Sequence, residues 1–294
     1  MFEEQYKQKQ EVVEKYLKEI LNINENPKLI YDAMAYSVFA GGKRLRPILC
    51  LSSCELMNGK LEEVLPVACS IELIHTYSLI HDDLPAMDND DLRRGKPTNH
   101  KIFGEAIAIL AGDALLNLGY EILIKHSLET QQNYRNILKA TNEIAMAAGA
   151  QGMIGGQVLD ILYENKTISY DELKYMHEHK TGALIEAAIC SGAFVAGAKE
   201  NDIEILREYA KLLGLAFQIK DDILDVTGNE KTLGKKIGSD EATGKSTFVT
   251  VFGLKRAEEL VEELTISAVN TLNTFGDRSQ FLKDLSYSML RRDN

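Results

Sequence analysis

Apolar residues recur every three or four positions along most of this chain, the period of amphipathic helices, and no stretch alternates as a half-buried strand would. Residues 3–22 read as a polar first helix with Val12, Val13, Tyr16, Leu17, Ile20 and Leu21 on one side. A turn over Asn22 to Pro27 leads to a second helix over 28–40, which ends at Gly41-Gly42, where helices commonly stop. A third begins near Pro47 and runs to about Leu56. From Leu61 to Asp83 the helical pattern is apolar on most faces, which predicts a buried element. Gly104 to about His126 reads the same way, and 130–163 holds one or two more helices. Small residues there (Ala147, Ala148, Gly149, Gly152, Gly155, Gly156) let helices approach closely. Ser169 and Glu172 fit a capping box, with Ile168 and Leu173 as its hydrophobic staple, opening a helix that carries His177, His179 and Lys180. Further helices are expected over 182–197, 201–226 and 246–275, with a short one near the C-terminus. The expectation is an all-α protein, one large bundle, with residues 1–294 as a single domain.

Composition agrees with helix: five prolines and no tryptophan. The net charge of −11 argues against nucleic acid or an anionic membrane surface as partner. Cys50, Cys54, Cys69 and Cys190 are expected to be reduced structural thiols. The N-terminus shows no basic region leading into an apolar one, and no apolar run is judged long enough to span a bilayer. A cytoplasmic protein without stable membrane insertion is expected, and the Asn165-Lys166-Thr167 sequon then carries no meaning.

Charge becomes informative where it is concentrated. The stretch Asp82-Asp83-Leu84-Pro85-Ala86-Met87-Asp88-Asn89-Asp90-Asp91 packs five carboxylates into ten residues directly after the most apolar helix, and Arg93-Arg94 follow. Like charges crowded at the end of a buried helix are costly unless cations sit among them. Hard oxygens at this density suit a divalent cation such as Mg²⁺, and the arginines suit phosphates. On a regular helix, acids six apart would point about 120° away from each other. Pro85 therefore predicts a break across Leu84–Met87 that returns Asp88 toward Asp82. A second cluster, Gln218-Ile219-Lys220-Asp221-Asp222-Ile223-Leu224-Asp225, lies about 140 residues on, with Gln218, Asp221 and Asp225 expected on one face. Either cluster alone would read as a solvated helix end. Two of them, facing across a cavity, would hold metal ions and a polyphosphate between them.

The remaining chemistry also points to phosphates. Lys43, Arg46 and Arg94 would serve one diphosphate, and Arg93, Lys180, Lys235 and Lys245 another. The segment Thr227 to Thr247 combines Gly228, Gly234, Gly238 and Gly244 with four lysines and reads as a loop able to close over phosphates. No Walker-type loop and no nucleophilic-serine elbow is present.

The order Gly41-Gly42-Lys43-Arg44-Leu45-Arg46-Pro47, the first acidic motif with Arg93-Arg94, Lys180-Thr181-Gly182, and Gln218 with the second acidic motif resembles the trans-isoprenyl diphosphate synthases. Within them it is most similar to the bacterial farnesyl diphosphate synthases (geranyltranstransferases). The resemblance covers roughly residues 28–250. It implies the isoprenoid synthase fold with a central substrate cavity, a homodimer, and Mg²⁺ as cofactor, three ions per site, with Mn²⁺ as an alternative. It further implies condensation of isopentenyl diphosphate with an allylic diphosphate (dimethylallyl or geranyl). Carried over by position, Asp82, Asp83 and Asp88 form the first metal motif, and Asp221, Asp222 and Asp225 the second. Lys43, Arg46, His75 and Arg94 match the isopentenyl diphosphate site. Arg93, Lys180, Thr181, Gln218, Lys235 and Lys245 surround the allylic diphosphate. Asp82, Asp83, Asp88, Lys180 and Asp221 are the residues expected to carry catalysis.

Ionising a C–O bond requires the departing pyrophosphate's charge to be met in place, an electrostatic task for metals and cations. The carbocation requires a dry cavity, which the helix around 61–80 is placed to line. In the resembled family an aromatic residue five before the first aspartate floors the product pocket; Tyr77 with Ser78 then favours a C15 product. Three rivals are weighed. A geranylgeranyl diphosphate synthase shares nearly every motif and is opposed mainly by Tyr77. A terpene cyclase would need neither Lys43/Arg46 nor a plain aspartate second motif. A noncatalytic subunit of a heteromeric synthase would be expected to have lost acids that are here intact.

Overall fold

The structure is a computed structural model describing residues 1–22, 26–228 and 244–292. The apolar periods become helices α1 (Phe2–Leu21), α2 (Lys28–Val38), α3 (Leu45–Leu56), α4 (Leu61–Asp82), α5 (Asn99–Phe103), α6 (Glu105–Glu129), α7 (Tyr134–Ala148) and α8 (Met153–Tyr163). They continue as α9 (Tyr170–His177), α10 (Ala183–Val195), α11 (Glu200–Thr227), α12 (Phe248–Phe252), α13 (Leu254–Thr271) and α14 (Gln280–Arg291). The fold is all-α, and α4 is its axis: it packs on α1, α2, α3, α6, α7 and α10, with Val67, Ile71, Leu73 and Ile74 fully buried. This is what apolarity on most faces demands. The core has two parts, and α11 joins them. Ile203, Leu206 and Leu213 belong to the larger cluster around α4. Leu215, Ile219 and Ile223 belong to a smaller one with α9, α12 and α13.

Ser169 accepts from the Glu172 N–H while Glu172 reaches back to Ser169, so the capping box is present, and Ile168 and Leu173 bury together. The four cysteines are free and buried, and burial pushes the Cys54 and Cys190 thiols up to about 12.

Four expectations need correcting. The third helix starts at Leu45 rather than near Pro47; Pro47 fits within a first turn whose N–H groups lack helical partners anyway. The segment 246–275 is interrupted at Gly253 and ends in a 3₁₀ turn (Leu272–Ser279). A two-stranded hairpin pairs β1 (Leu92–Arg93) with β2 (Lys96–Pro97), closed by Arg94 and Gly95, both at positive φ, as a two-residue hairpin turn requires. Finally, α4 and α6 are long and apolar enough, by length and composition, to cross a bilayer. In α4 that reflects a core position, since 67% of its apolar window is buried; in α6 only 33% is.

The loop that opens α3 is pinned from inside. Arg44, 2% exposed, sits at positive φ before the helix. Its guanidinium donates to Glu14 at 2.7 Å, to Glu72 at 2.9 Å and to the Val38 carbonyl at 2.6 Å. Breaking a buried pair from one side strands the other charge. Arg44→Ala should therefore lower unfolding free energy by about 3–5 kcal/mol in denaturant titrations; a loss below about 1 kcal/mol would contradict this role.

Candidate active site

The α4 helix ends at Asp82, and the chain then bends back on itself. The Leu84 N–H donates to the His81 carbonyl, the Met87 N–H to Leu84, and the Asp88 N–H to the Asp82 carbonyl at 2.9 Å. The expected break thus places Asp88 beside Asp82, with Pro85 exposed in the turn where its missing N–H costs nothing. Asp83, 4% exposed, is the inward-facing acid. Arg93, delivered by the hairpin, donates to it at 2.8 and 2.5 Å and to Asp90 at 3.1 Å.

The second motif lies on α11 where the two core clusters meet. Asp222 and Asp225 are buried at 2% and 3% exposure, whereas the Asp221 side chain is 43% exposed and accepts from Arg292 at 2.5 Å. Gln218 turns to Asp222, not Asp221. Its amide donates there at 3.0 Å while its carbonyl accepts from Thr181 at 2.7 Å. The other Asp222 oxygen accepts the Phe248 N–H at 2.9 Å. Asp222 therefore ties α11 to α12 and to the Lys180-Thr181 segment. Beside it His177, 6% exposed and stacked on Phe248, is held neutral, its pKa lowered to about 4 by burial.

Asp160 on α8 joins the Lys180 turn to the first motif, and sequence reasoning passed over it. Lys180 donates to it at 2.6 Å; Lys245 approaches it at 3.3 Å and donates to Asp88 at 2.9 Å. Burial alone would raise the Asp160 carboxyl, but the two lysines hold it below the usual carboxylate range. Lys180 lies in a π-helical turn, Glu178–Gly182, between α9 and α10. A Cβ at Gly156 would fall 2.1 Å from the Lys180 backbone nitrogen. Glycine thus lets α8 press against that turn and present Asp160 one helical turn later. The available signal was a lone acid closing the small-residue run Gly155-Gly156-Gln157-Val158-Leu159-Asp160.

Arg46, His75, Leu79, Asp90, Arg93, Arg94, Thr181, Phe217, Gln218 and Asp221 line a cavity of about 300 Å³ between the motifs. Arg46 lies 3.3 Å from His75 Nε2. Burial and then Arg46, Arg94 and Arg93 push the imidazole well below its ordinary pKa, so it is neutral. Arg94 donates to the Gly41 carbonyl. Lys43 lines a neighbouring cavity of about 1000 Å³ with Phe217 and Arg292, and burial followed by Arg292 lowers its pKa. Tyr77 is buried at 6% exposure, and the Ser78 hydroxyl donates to the His75 carbonyl. Lys235 and the centre of the expected 227–247 loop lie outside the described residues.

Among the described residues no three His, Cys, Asp or Glu side chains converge to cage one ion. Mg²⁺ asks for less, commonly one or two carboxylates with substrate phosphates completing the shell. The donors fit it. Burial pushes the Asp82 and Asp83 carboxyls up to about 6, opposed by Lys180 and Arg93 and reinforced by neighbouring acids. A divalent cation would relieve that crowding.

The raised pKa has a sign that can be tested. Ionised Asp82 is disfavoured in the fold, so its contribution to stability is full below about 4 and is lost as pH rises through about 6. In metal-free buffer Asp82→Asn should stabilise the protein at pH 7.5 by about 1–3 kcal/mol. The difference should shrink toward zero at pH 4.5; an equal gain at both values would contradict the assignment.

The polyprenyl synthetase family model matches residues 27–277. A geranylgeranyl diphosphate synthase from Cyanophora paradoxa is 52% identical over 243 residues, covering 81% of this chain and 80% of that one. A farnesyl diphosphate synthase from Geobacillus stearothermophilus is 47% identical over 253 residues, covering 86% and 84%. The solved geranyltransferase from Helicobacter pylori, complexed with magnesium and isoprenyl diphosphate, superposes with a TM-score of 0.84 at 35% identity, covering 97% of this chain and 95% of that one. Asp90 of the first acidic stretch, Asp221 of the second motif, Thr181 and the Arg93-Arg94 hairpin line one cavity, and this chain belongs to the polyprenyl synthetase family.

Proposed function

We propose that this prenyltransferase condenses isopentenyl diphosphate with dimethylallyl and then geranyl diphosphate and releases (2E,6E)-farnesyl diphosphate. The observation that carries this reading is the set of internal ion pairs. Arg93 on Asp83, Lys180 on Asp160, Lys245 on Asp88 and Asp160, and Arg292 on Asp221 hold the charges of the site in mutual balance. Such a site can exchange those pairs for Mg²⁺ and diphosphate without a large net change in buried charge. Asp82, Asp83 and Asp88 on one side, and Asp221 and Asp225 on the other, would hold Mg²⁺, three ions in this reading, with Mn²⁺ an acceptable substitute. Asp222, with both oxygens accepting protein hydrogen bonds, is better placed to anchor the motif than to reach out. When bound, Mg²⁺ supplies neutralisation of the departing pyrophosphate.

The chain's own residues perform the rest. Lys180, Arg93 and Lys245, released from their acids, face the allylic diphosphate, with Lys235 assigned there by position. Arg46, Arg94, Lys43 and neutral His75 take the isopentenyl diphosphate. The allylic C1–O bond breaks with its electron pair leaving on pyrophosphate. The isopentenyl double bond attacks C1, and the proton then lost from C2 passes to a pyrophosphate oxygen. Apolar α4 side chains exclude water while the cation exists. Tyr77, five residues or about 7.5 Å of helix before Asp82, closes the space into which the product grows, so growth stops at C15. The C20 alternative is favoured by the identity to a geranylgeranyl diphosphate synthase. A noncatalytic role is disfavoured by the intact acidic motifs.

The same reading makes residues 1–294 one working domain and places it in the cytoplasm, which suits four free thiols. It also makes the enzyme a homodimer. Ile109, Leu110, Ile124 and Leu128 leave an apolar face of α6 44–75% exposed, and a second copy of that face would cover it.

Two measurements check these proposals. Purified protein with Mg²⁺, isopentenyl diphosphate and each allylic primer should give C15, and Tyr77→Ala should move product to C20 or longer by chromatography. Exclusively C15 from that variant would sink the floor role, and no condensation with any primer would defeat the whole reading. In light scattering, Leu110→Glu with Ile124→Glu should convert a dimer into a monomer; an unchanged mass would place the interface elsewhere.

A further inference from the structure

Tyr77 does not hold its position alone. One turn further along α4, at the i+4 position, the His81 ring meets it edge to face, with centroids 5.6 Å apart and planes at 87°. The imidazole is in turn fixed by α6. Its Nε2 lies 3.0 Å from the Ile109 carbonyl, which assigns the proton to Nε2 as donor. Asp113 stands 3.9 Å from the same nitrogen. The space that the ring occupies exists because residue 112 is glycine. A Cβ there would fall 2.1 Å from Nε2 and 2.4 Å from Cδ2, so the ring would have to move. The mechanism proposed above uses neither His81 nor any of these α6 groups.

We propose that His81, seated in the notch left by Gly112, is a positioning residue that fixes the Tyr77 ring and thereby sets where the product chain stops. This rests on Tyr77 ending the product cavity, as proposed above. A helical aromatic side chain has two principal directions, both leaning toward the preceding turn. Tyr77 is buried at 6% exposure, and the ring it meets is His81 on its own helix. Removing the His81 ring frees one flank, and the Tyr77 ring can then yield to a lengthening chain. Product length is thus specified by a contact between two helices rather than by the bulk of one residue.

The test uses the full chain with Mg²⁺, isopentenyl diphosphate and geranyl diphosphate, reading C20:C15 by chromatography and mass by light scattering. His81→Ala should raise C20:C15 about three- to tenfold, the factor corresponding to one lost aromatic contact. Gly112→Ala should act in the same direction, because it evicts the ring from the other helix, and it tests the notch should His81→Ala not fold. His81→Gln, whose amide can still donate to the Ile109 carbonyl, should lie nearer the parent. Adding His81→Ala to Tyr77→Ala should lengthen product no further than Tyr77→Ala alone. Unchanged C15 from His81→Ala and Gly112→Ala, while Tyr77→Ala shifts product, overturns the proposal and leaves the C15 reading standing. A shift accompanied by loss of the dimer mass also overturns it, since the interface rather than Tyr77 would be responsible. Failure of Tyr77→Ala to shift overturns both.

Discussion

Carboxylates that must sit together at the ends of apolar helices repel one another, and burial raises the cost of each charge. The protein meets this constraint with its own cations: Arg93 on Asp83, Lys180 on Asp160, Lys245 across Asp160 and Asp88, and Arg292 on Asp221. These cations come from distant parts of the chain. Arg93 arrives on a hairpin, Lys180 on a π-helical turn, and Lys245 and Arg292 from the C-terminal part. Charge neutralisation therefore acts as a tertiary restraint, drawing separate elements onto one site. The pairs are replaceable by design of their chemistry, since a lysine that neutralises a carboxylate can equally face a phosphate once a divalent cation takes its place.

Beneath this exchangeable layer lies one that does not participate. Arg44 sits between Lys43 and Arg46 in sequence, yet it faces inward to Glu14 and Glu72 and fixes the loop that displays its neighbours. Asp222 plays the same part in the second motif: flanked by Asp221 and Asp225, it spends its oxygens on Gln218 and the Phe248 N–H. Each charged motif thus contains a residue that holds the backbone still beside residues that line a cavity, Lys43 and Arg46 in one and Asp221 in the other. A preorganised electrostatic site needs both, because donors that must reorganise during reaction lose much of their effect.

Most helices were legible because their apolar period is strong, and the Asp82–Asp88 bend was legible because proline constrains its surroundings in a known way. The site was less so. Asp160 gave little signal, being a single acid in an apolar helix whose meaning comes from Lys180 and Lys245, 20 and 85 residues away. Helical spacing puts Asp221 (i+3) and Asp222 (i+4) alike within reach of Gln218, and tertiary contacts of Asp222 with the Phe248 N–H and of Asp221 with Arg292 decide between them. The Arg94-Gly95 hairpin is too short for any alternation to register. The π-helical turn at Glu178–Gly182 leaves the apolar period almost unchanged while rotating Lys180 and Thr181 onto the site. α6 was misjudged as to its apolar length because a face left uncovered and a face turned inward contribute equally to composition.

That helix also shows how one element can serve two surfaces. Ala108, Ala111, Gly112 and Leu115 are buried on its inner side against the protein, and Gly112 admits the His81 ring. Its outer side carries the exposed Ile109, Leu110, Ile124 and Leu128. Ile109 belongs to both, since its side chain lies on the outer face while its carbonyl accepts from His81. Any displacement of α6 would move the acceptor that fixes His81, and with it the ring that meets Tyr77 edge to face. Packed cores transmit displacement, so the backbone at Ile109 is the point where the outer face of α6 and the seat of the His81 ring are mechanically joined.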